Sequence, residues 1–164
     1  TNSGLRSNSR YQQLENMTQH VLLVVEDNQN DVELMLAVLE DSYLAKKVVI
    51  ARDGAEALDY LFRREKFATR DEGTPKVVLL DMKMPKVGGL EVLKQIRADE
   101  RLRWLPVVML TSSRVEGDIM ESYELGANAY VVKPVDFQEY VETIKEIGKF
   151  WTVRNEKPPG RSSN

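Results

Sequence analysis

Apolar and polar positions divide this chain into short apolar runs that alternate with amphipathic segments. Each run carries Val and Leu on consecutive rather than alternate positions, which is typical of strands buried on both faces of a parallel sheet. The runs are Val21–Val25, Val48–Ala51, Val77–Leu80, Val107–Leu110 and Ala129–Val132. The pattern therefore predicts five parallel strands.

The amphipathic segments that follow the strands show apolar residues near a 3.6-residue period, which indicates helices. Four of them centre on the apolar groups near Val32, Ala57, Leu90 and Ile119. The clearest is the last, with Phe137, Tyr140, Val141, Ile144, Ile147 and Trp151 at helical spacing. Five strands alternating with five helices predict a doubly wound α/β domain.

The ends of the chain lack this periodicity. Residues 1–19 are polar and are expected to form a flexible lead-in, residues 20–150 one domain, and residues 151–164 a C-terminal extension. A polar loop is predicted at residues 67–75, and we expect the nearby basic cluster of Arg63, Arg64, Lys66 and Arg70 to be a solvated face.

Composition narrows the class of protein. Of the 164 residues, 42% are hydrophobic and 30% are charged, which is enough for a core and a solvated surface. The net charge of −3 has the wrong sign for a nucleic-acid surface, and the absence of cysteine excludes disulfides and thiolate metal sites. No apolar run is long enough to cross a bilayer. We expect a cytoplasmic protein without a nucleic-acid or membrane partner.

Polar residues that could bind ligands or take part in a reaction cluster where the predicted strands end. In open parallel sheets, ligands bind beyond the carboxyl ends of the strands. The residues at these ends are Glu26 and Asp27 for the first strand, Asp81 for the third, Thr111 and Ser112 for the fourth, and Lys133 and Pro134 for the fifth. Three carboxylates, two hydroxyls and an ammonium are thus expected at one edge of the sheet.

Each of these residues alone has an ordinary structural explanation. Asp27 or Asn28 could cap a helix, Asp81 could be a turn residue, Thr111 could also be a cap, and Lys133 could be solvated. Together they need another explanation, because two carboxylates about 4 Å apart repel by roughly 4 kcal/mol at an effective dielectric near 20. A divalent cation together with the lysine would offset that repulsion.

This set of side chains suits phosphoryl chemistry. Glu26, Asp27 and Asp81 supply the hard oxygen ligands that Mg²⁺ prefers, and Asp81 can also act as a carboxylate nucleophile that forms an acyl phosphate. Lys133 can neutralise phosphate oxygens and Thr111 can donate a hydrogen bond to one of them. The added charge of about −1.5 to −2 would then act on two loops at once.

Four motifs resemble those of response-regulator receiver domains. They are Leu22–Asn28, Val77–Pro85, Leu110–Ser112 and Tyr130–Pro134, and the resemblance extends from about His20 to Gly148. It implies a flavodoxin-like sheet in the order 2-1-3-4-5. It also implies a phosphoryl group accepted from a sensor histidine kinase, and Mg²⁺ or Mn²⁺ as the cofactor.

The resemblance also assigns roles to residues at the strand ends. Asp81 would be the phospho-acceptor, and the metal would be held by Glu26, Asp27, Asp81 and the backbone carbonyl of Lys83. Lys133 would contact the phosphate.

Two further roles concern the last two strands of the sheet. Thr111 and Tyr130 would form a switch pair in which the hydroxyl moves toward phosphate and the ring turns inward, although Tyr130 could instead be a core aromatic. Lys133–Pro134 would be a cis peptide bond.

Softer features resemble the single-domain, phytochrome-associated response regulators, with no output domain after Gly148. They are the long loop from Arg63 to Pro75, the segment Leu125–Asn128 and the ending Phe150–Trp151. The expected partner is then a phytochrome kinase, and related regulators form homodimers through helix 4, strand 5 and helix 5. Phe150 and Trp151 could anchor such a dimer or could fold back over their own core.

Two rival functions remain to be weighed. A phosphatase of the haloacid-dehalogenase type needs an acid two residues after its nucleophile, and here that position is Lys83. A phosphorylation-independent scaffold is disfavoured because the acid, hydroxyl and lysine set is intact. The sequence thus favours a regulator that is not an enzyme.

Overall fold

The computed structural model describes residues 21–42 and 47–159. The predicted lead-in at residues 1–19 and the last five residues of the predicted extension lie outside the described residues. None of the described helices combines the length and the apolar character that crossing a membrane requires.

Five strands and five α-helices alternate along the described chain. The strands are β1 (Val21–Val25), β2 (Lys47–Ala51), β3 (Val77–Leu80), β4 (Val107–Thr111) and β5 (Ala129–Val132). The helices are α1 (Gln29–Asp41), α2 (Gly54–Leu61), α3 (Gly89–Ala98), α4 (Glu116–Glu124) and α5 (Phe137–Lys149). A 3₁₀ helix at Glu65–Phe67 and a π-helical turn at Phe150–Arg154 were not predicted. The bounds of all five predicted strands are confirmed to within one residue.

The strands form one parallel sheet in the order β2-β1-β3-β4-β5. Every residue of β1, β3 and β4 is buried, because helices cover both faces. β1 lies inside the sheet with Val25 opposite Leu80 of β3. The predicted doubly wound, flavodoxin-like architecture is confirmed.

Alternate residues of the central strands enter two separate apolar clusters. Leu23, Val25 and Leu80 pack with the apolar residues of α2 and α3 on one face. Leu22 and Leu79 pack with those of α1 and α5 on the other. Consecutive apolar positions in the sequence therefore reflect a sheet with a core on each side.

Capping side chains start three of the helices. Asn28 accepts a hydrogen bond from the backbone N–H of Asp31 at 3.0 Å. Asp53 and Asp136 cap α2 and α5 in the same way. The sequence allows either Asp27 or Asn28 to cap α1. The structure shows that Asn28 is the cap, so the side chain of Asp27 is not used for capping.

The loop between α2 and β3 is held by two arginines. Arg63 donates to the carbonyl of Glu72 at 2.9 Å, and Arg70 donates to the carbonyl of Tyr60 at 2.8 Å. Arg64 and Lys66 are exposed, as expected of a solvated cluster. For Arg63 and Arg70 that expectation is wrong, since backbone carbonyls in a long loop need donors.

The two aromatic side chains of the C-terminal segment, Phe150 and Trp151, face in different directions. The Trp151 ring is partly buried against the cluster that α1 and α5 share, whereas Phe150 is 50% exposed. Their rings meet edge to face with centroids 5.0 Å apart. Trp151 therefore folds back, and Phe150 faces outward.

Candidate functional site

Parallel pairing of β1 and β3 brings three carboxylates together. The Asp81 N–H donates to the carbonyl of Val25 at 3.0 Å, so the residues after both strands lie side by side. Glu26, Asp27 and Asp81 each offer an oxygen, and these oxygens all lie within 4.8 Å of one another. This is the convergence that the strand ends predict.

The three carboxylates differ in their exposure to solvent. Glu26 is 1% exposed and Asp81 is 8% exposed, while Asp27 is open to solvent. Backbone N–H groups hold the two buried ones: Asn28 donates to Glu26 at 3.1 Å, and Met82 donates to Asp81 at 2.8 Å. The donor set of hard oxygens, open on the Asp27 side, fits a divalent cation.

Burial dominates the protonation of Glu26. It raises the pKa of Glu26 from 4.5 to about 7, even though the hydrogen bond from Lys133 opposes the rise. The negative charge of Asp81 adds to the effect. A cation bound among these oxygens would favour the ionised form of Glu26.

Lys133 crosses from the end of β5 to this cluster. Its Nζ lies 2.7 Å from Glu26 Oε2, 3.0 Å from Asp31 Oδ2 and 3.9 Å from Asp81 Oδ2. Burial lowers the pKa of Lys133, but the contacts with Glu26, Asp81 and Asp31 outweigh it, and the pKa is raised. The site thus holds a charged ammonium among its carboxylates.

Asp31 is the site residue that the sequence analysis missed. It lies in the first turn of α1, just after the β1 end, and it accepts from Lys133. A signal existed: the first turn of a helix that follows a strand directly lies over the same edge of the sheet. However, the helix dipole favours a carboxylate in the first turn of any helix, so Asp31 could be explained without a role in the site.

Thr111 and Tyr130 both contact the backbone of Ser113 in the β4–α4 loop. Thr111 is 2% exposed, and its Oγ1 accepts from the Ser113 N–H at 3.4 Å. The Tyr130 hydroxyl donates to the Ser113 carbonyl at 2.9 Å. In addition, Ser113 Oγ donates to Asp118 at 2.5 Å. The predicted pair is thus joined through one loop residue.

The β3–α3 loop has a tight path around Asp81. The Gly89 N–H donates to the Met82 carbonyl at 2.9 Å, and a Cβ at position 89 would lie 2.1 Å from the Asp81 carbonyl oxygen. Glycine is therefore required at position 89 by close backbone approach. Lys83 is exposed in this loop, and the metal role of its carbonyl stays a prediction.

The expectation of a cis bond at Lys133–Pro134 is wrong. No peptide bond among residues 21–42 and 47–159 is cis. A trans X–Pro bond is favoured by about 0.5–1 kcal/mol unless tertiary contacts compensate. Here the Lys133 side chain reaches its carboxylates from a trans bond.

Comparison with known proteins agrees with this geometry. The family model described as the response regulator receiver domain matches residues 22–145. The chain is 35% identical over 131 residues to the response regulator Rcp1 of Synechocystis, covering 80% of this chain and 88% of that protein. The solved structure of the Mn²⁺-bound form of Rcp1 gives a TM-score of 0.78 at 34% identity, covering 85% of this chain and 99% of that one.

Two further solved structures are similar. The phosphorylated cyanobacterial phytochrome response regulator RcpA is 35% identical with a TM-score of 0.80, covering 86% of this chain and 99% of that one. The bacteriophytochrome response regulator RtBRR is 56% identical with a TM-score of 0.68, covering 88% and 87%. The chain thus belongs to the response regulator receiver family.

Proposed function

We propose that this protein is a single-domain response regulator in which Asp81 accepts a phosphoryl group from a sensor histidine kinase. The observation that carries the proposal is the meeting of three carboxylates within 4.8 Å with the Lys133 ammonium beside them. Residues 20–150 would form the receiver unit, and residues 151–164 its extension. The protein would work as a switch rather than as an enzyme with a separate substrate.

The metal proposal rests on the donor set. Glu26, Asp27, Asp81 and the backbone carbonyl of Lys83 would hold Mg²⁺ or Mn²⁺, and the Mn²⁺-bound form of Rcp1 supports this choice of ion. The ion would offset the charge of the carboxylates and of the incoming phosphate. Asp27, the exposed carboxylate, lies on the side from which an ion would enter.

In the proposed transfer, a carboxylate oxygen of Asp81 attacks the phosphorus of a phosphohistidine. The P–N bond breaks, its electron pair stays on the imidazole, and an acyl phosphate remains on Asp81. The Met82 N–H orients the carboxylate by holding Oδ1. Lys133 pairs with the phosphate oxygens and Thr111 donates a hydrogen bond to one of them.

The readout would pass through the β4–α4 loop to the face formed by α4, β5 and α5. Thr111 and Tyr130 share Ser113, so movement of the Thr111 hydroxyl toward phosphate would alter the loop that Tyr130 holds. This face exposes Met120 (60%) and Phe137 (62%). Such exposed apolar side chains support its proposed use as a homodimer interface, with Phe150 at its edge.

For the partner, we propose a phytochrome kinase in the cytoplasm. The support is the similarity to RcpA and RtBRR, which are named as phytochrome and bacteriophytochrome response regulators. The alternative for the partner is a receiver that serves another histidine kinase. Phosphotransfer profiling against purified kinases, phytochromes included, tests this: slow transfer from every phytochrome would remove the partner while leaving the receiver function.

The test of the main proposal is incubation with acetyl phosphate and Mg²⁺, followed by intact-protein mass spectrometry. We expect one phosphate that hydroxylamine removes, as it does from an acyl phosphate; this phosphate should be absent in Asp81→Asn and present in the control Asp41→Asn, an exposed aspartate at the end of α1. Release of phosphate from many phosphoesters would instead indicate a phosphatase. No label on the folded wild type would indicate a phosphorylation-independent scaffold.

A further inference from the structure

Three carboxylates share the Lys133 ammonium, and they hold it at different distances. Its Nζ lies 2.7 Å from Glu26 Oε2 and 3.0 Å from Asp31 Oδ2, and it donates a hydrogen bond to each of them. Asp81 Oδ2 lies farther away, at 3.9 Å, in an ion pair. The ammonium is therefore bound more closely to Asp31 than to the proposed phospho-acceptor.

Asp31 differs from Glu26 because it lies outside the proposed metal-binding set. The carboxylate oxygens that converge within 4.8 Å belong to Glu26, Asp27 and Asp81. A cation held by these oxygens would offset the charge of Glu26 but would not be bound by Asp31. The negative charge of Asp31 would therefore remain available to Lys133 when the metal site is filled.

The ion pair between Lys133 and Asp31 is partly shielded from water. The Lys133 side chain is 11% exposed and that of Asp31 is 21% exposed. The attraction between two such charges is stronger than in an exposed pair, because less water lies around them to screen it. The pair is thus strong enough to affect where the ammonium lies.

Helix α1 fixes the position of Asp31. The Asp31 N–H donates to Asn28 Oδ1 at 3.0 Å, and the nearby side chains of Val32 and Met35 are buried in the core. A short side chain on an anchored backbone has little freedom to follow an ammonium that moves. A shift of Lys133 toward Asp81 would therefore lengthen its hydrogen bond to Asp31.

We propose that Asp31 competes with the phosphoryl group on Asp81 for Lys133 and thereby weakens the hold of the site on phosphate. Asp31 is then a positioning residue, since it acts on the phosphate through the ammonium. The inference rests on the proposed phosphorylation of Asp81. It adds a residue that sets the phosphate affinity of that same site.

The competition has opposite consequences for an anion and for a cation. Phosphorylation adds about −1.5 to −2 charge at Asp81, and an ammonium that is still paired with Asp31 offsets less of that charge. An amide at position 31 would remove the competing charge, so the ammonium could pair fully with phosphate. The same ammonium, once released toward Asp81, would repel a cation among the carboxylates. Neutralising Asp31 should therefore favour phosphate and disfavour the metal.

The test compares two ligands on the full-length wild type and on Asp31→Asn. Isothermal titration calorimetry measures Mg²⁺ alone, and then beryllofluoride, a stable mimic of the aspartyl phosphate, at saturating Mg²⁺. Asp31→Asn is expected to bind beryllofluoride about tenfold more tightly, because a charge-assisted hydrogen bond no longer has to be given up. It should bind Mg²⁺ about threefold more weakly, because a nearby negative charge is lost.

A double variant shows whether the effect passes through the ammonium. In the Lys133→Met background, Asp31→Asn should change beryllofluoride affinity by less than about twofold, because no ammonium is left to compete for. Binding in this background is followed by ¹⁹F NMR, which also measures weak affinities. As a matched control, Glu33→Gln neutralises an exposed carboxylate on α1 that accepts a hydrogen bond from Gln29. It should leave both affinities within about twofold of the wild type.

The outcomes separate this inference from the proposed function. If the wild type binds no beryllofluoride, or if Asp81→Asn binds it equally well, the proposed function itself fails. If the wild type binds it but Asp31→Asn binds both ligands more weakly, Asp31 is merely structural and the competition is wrong. Unchanged beryllofluoride affinity in Asp31→Asn would also overturn it. A tightening that persists with Lys133→Met would show a general effect of charge instead of competition for the ammonium.

Discussion

Glu26→Gln should remove a pH dependence of stability that the ligand-free protein carries in the neutral range. Glu26 is 1% exposed, and burial raises its pKa from 4.5 to about 7. Folding therefore favours the protonated carboxyl. The stabilising contribution is fully present below the unfolded pKa of 4.5 and is lost as the pH rises through about 7. Glutamine is a neutral side chain of the same shape at every pH.

The structure gives the magnitude of this loss. The difference between 4.5 and about 7, at 1.36 kcal/mol per pH unit, corresponds to about 3 kcal/mol of unfolding free energy. About 2.5 kcal/mol of that should disappear between about pH 5 and about pH 8. The other carboxyls with shifted values, Asp53 and Glu72, have lowered pKa values and act at more acidic pH.

Urea unfolding in the presence of a chelator measures the effect. The free energy of unfolding of the wild type should fall relative to that of Glu26→Gln as the pH is raised across this range, while the m-values stay equal. Saturating Mg²⁺ should restore the stability of the wild type above about pH 7, because the ion favours the ionised carboxylate. Parallel pH profiles for the two proteins without metal would refute the reasoning.

Substitutions at four other positions test the contacts that shape the site and the helices around it. Gly89→Ala should destabilise the protein by about 1–3 kcal/mol because its Cβ would lie 2.1 Å from the Asp81 carbonyl oxygen. By contrast, a Cβ at position 117 would meet open space, so Gly117→Ala should stabilise α4 by about 0.5–1 kcal/mol. Equal melting temperatures for these two would contradict the packing argument. Arg97→Met should cost about 2–4 kcal/mol in urea unfolding, since the half-buried guanidinium donates to the carbonyls at positions 103, 105 and 126; an unchanged midpoint would show that water replaces it. Asn28→Ala should cost about 1 kcal/mol through the lost cap of α1, and a Thr at the same position should recover part of it in thermal unfolding.

The positions of the strands and the location of the site followed from the sequence because both depend on local order. Consecutive Val and Leu residues mark strands that are covered on both faces, and parallel strands bring their carboxyl ends to one edge. The sequence alone therefore predicts that Glu26, Asp27 and Asp81 lie together. The sequence also kept open whether Asp27 or Asn28 caps α1, because either side chain can do so.

Contacts between distant residues were decided by the tertiary structure alone. Lys133 and Glu26 are 107 residues apart, and the order of strands predicts only that they share an edge. Which carboxylate the ammonium touches depends on where helix α1 places Asp31. The burial of Tyr140 likewise depends on how α5 lies against α1.

The strands, the helices and the types of side chain at one edge of the sheet can be predicted from the sequence alone. The reason is that the spacing of apolar residues and the ends of strands are properties of short segments. Tertiary structure decided the trans bond before Pro134, the loop bonds of Arg63 and Arg70, and the sharing of Lys133 between Glu26 and Asp31. These depend on side-chain directions and distances of a few ångströms. Such distances are fixed only when elements from distant parts of the chain pack against one another.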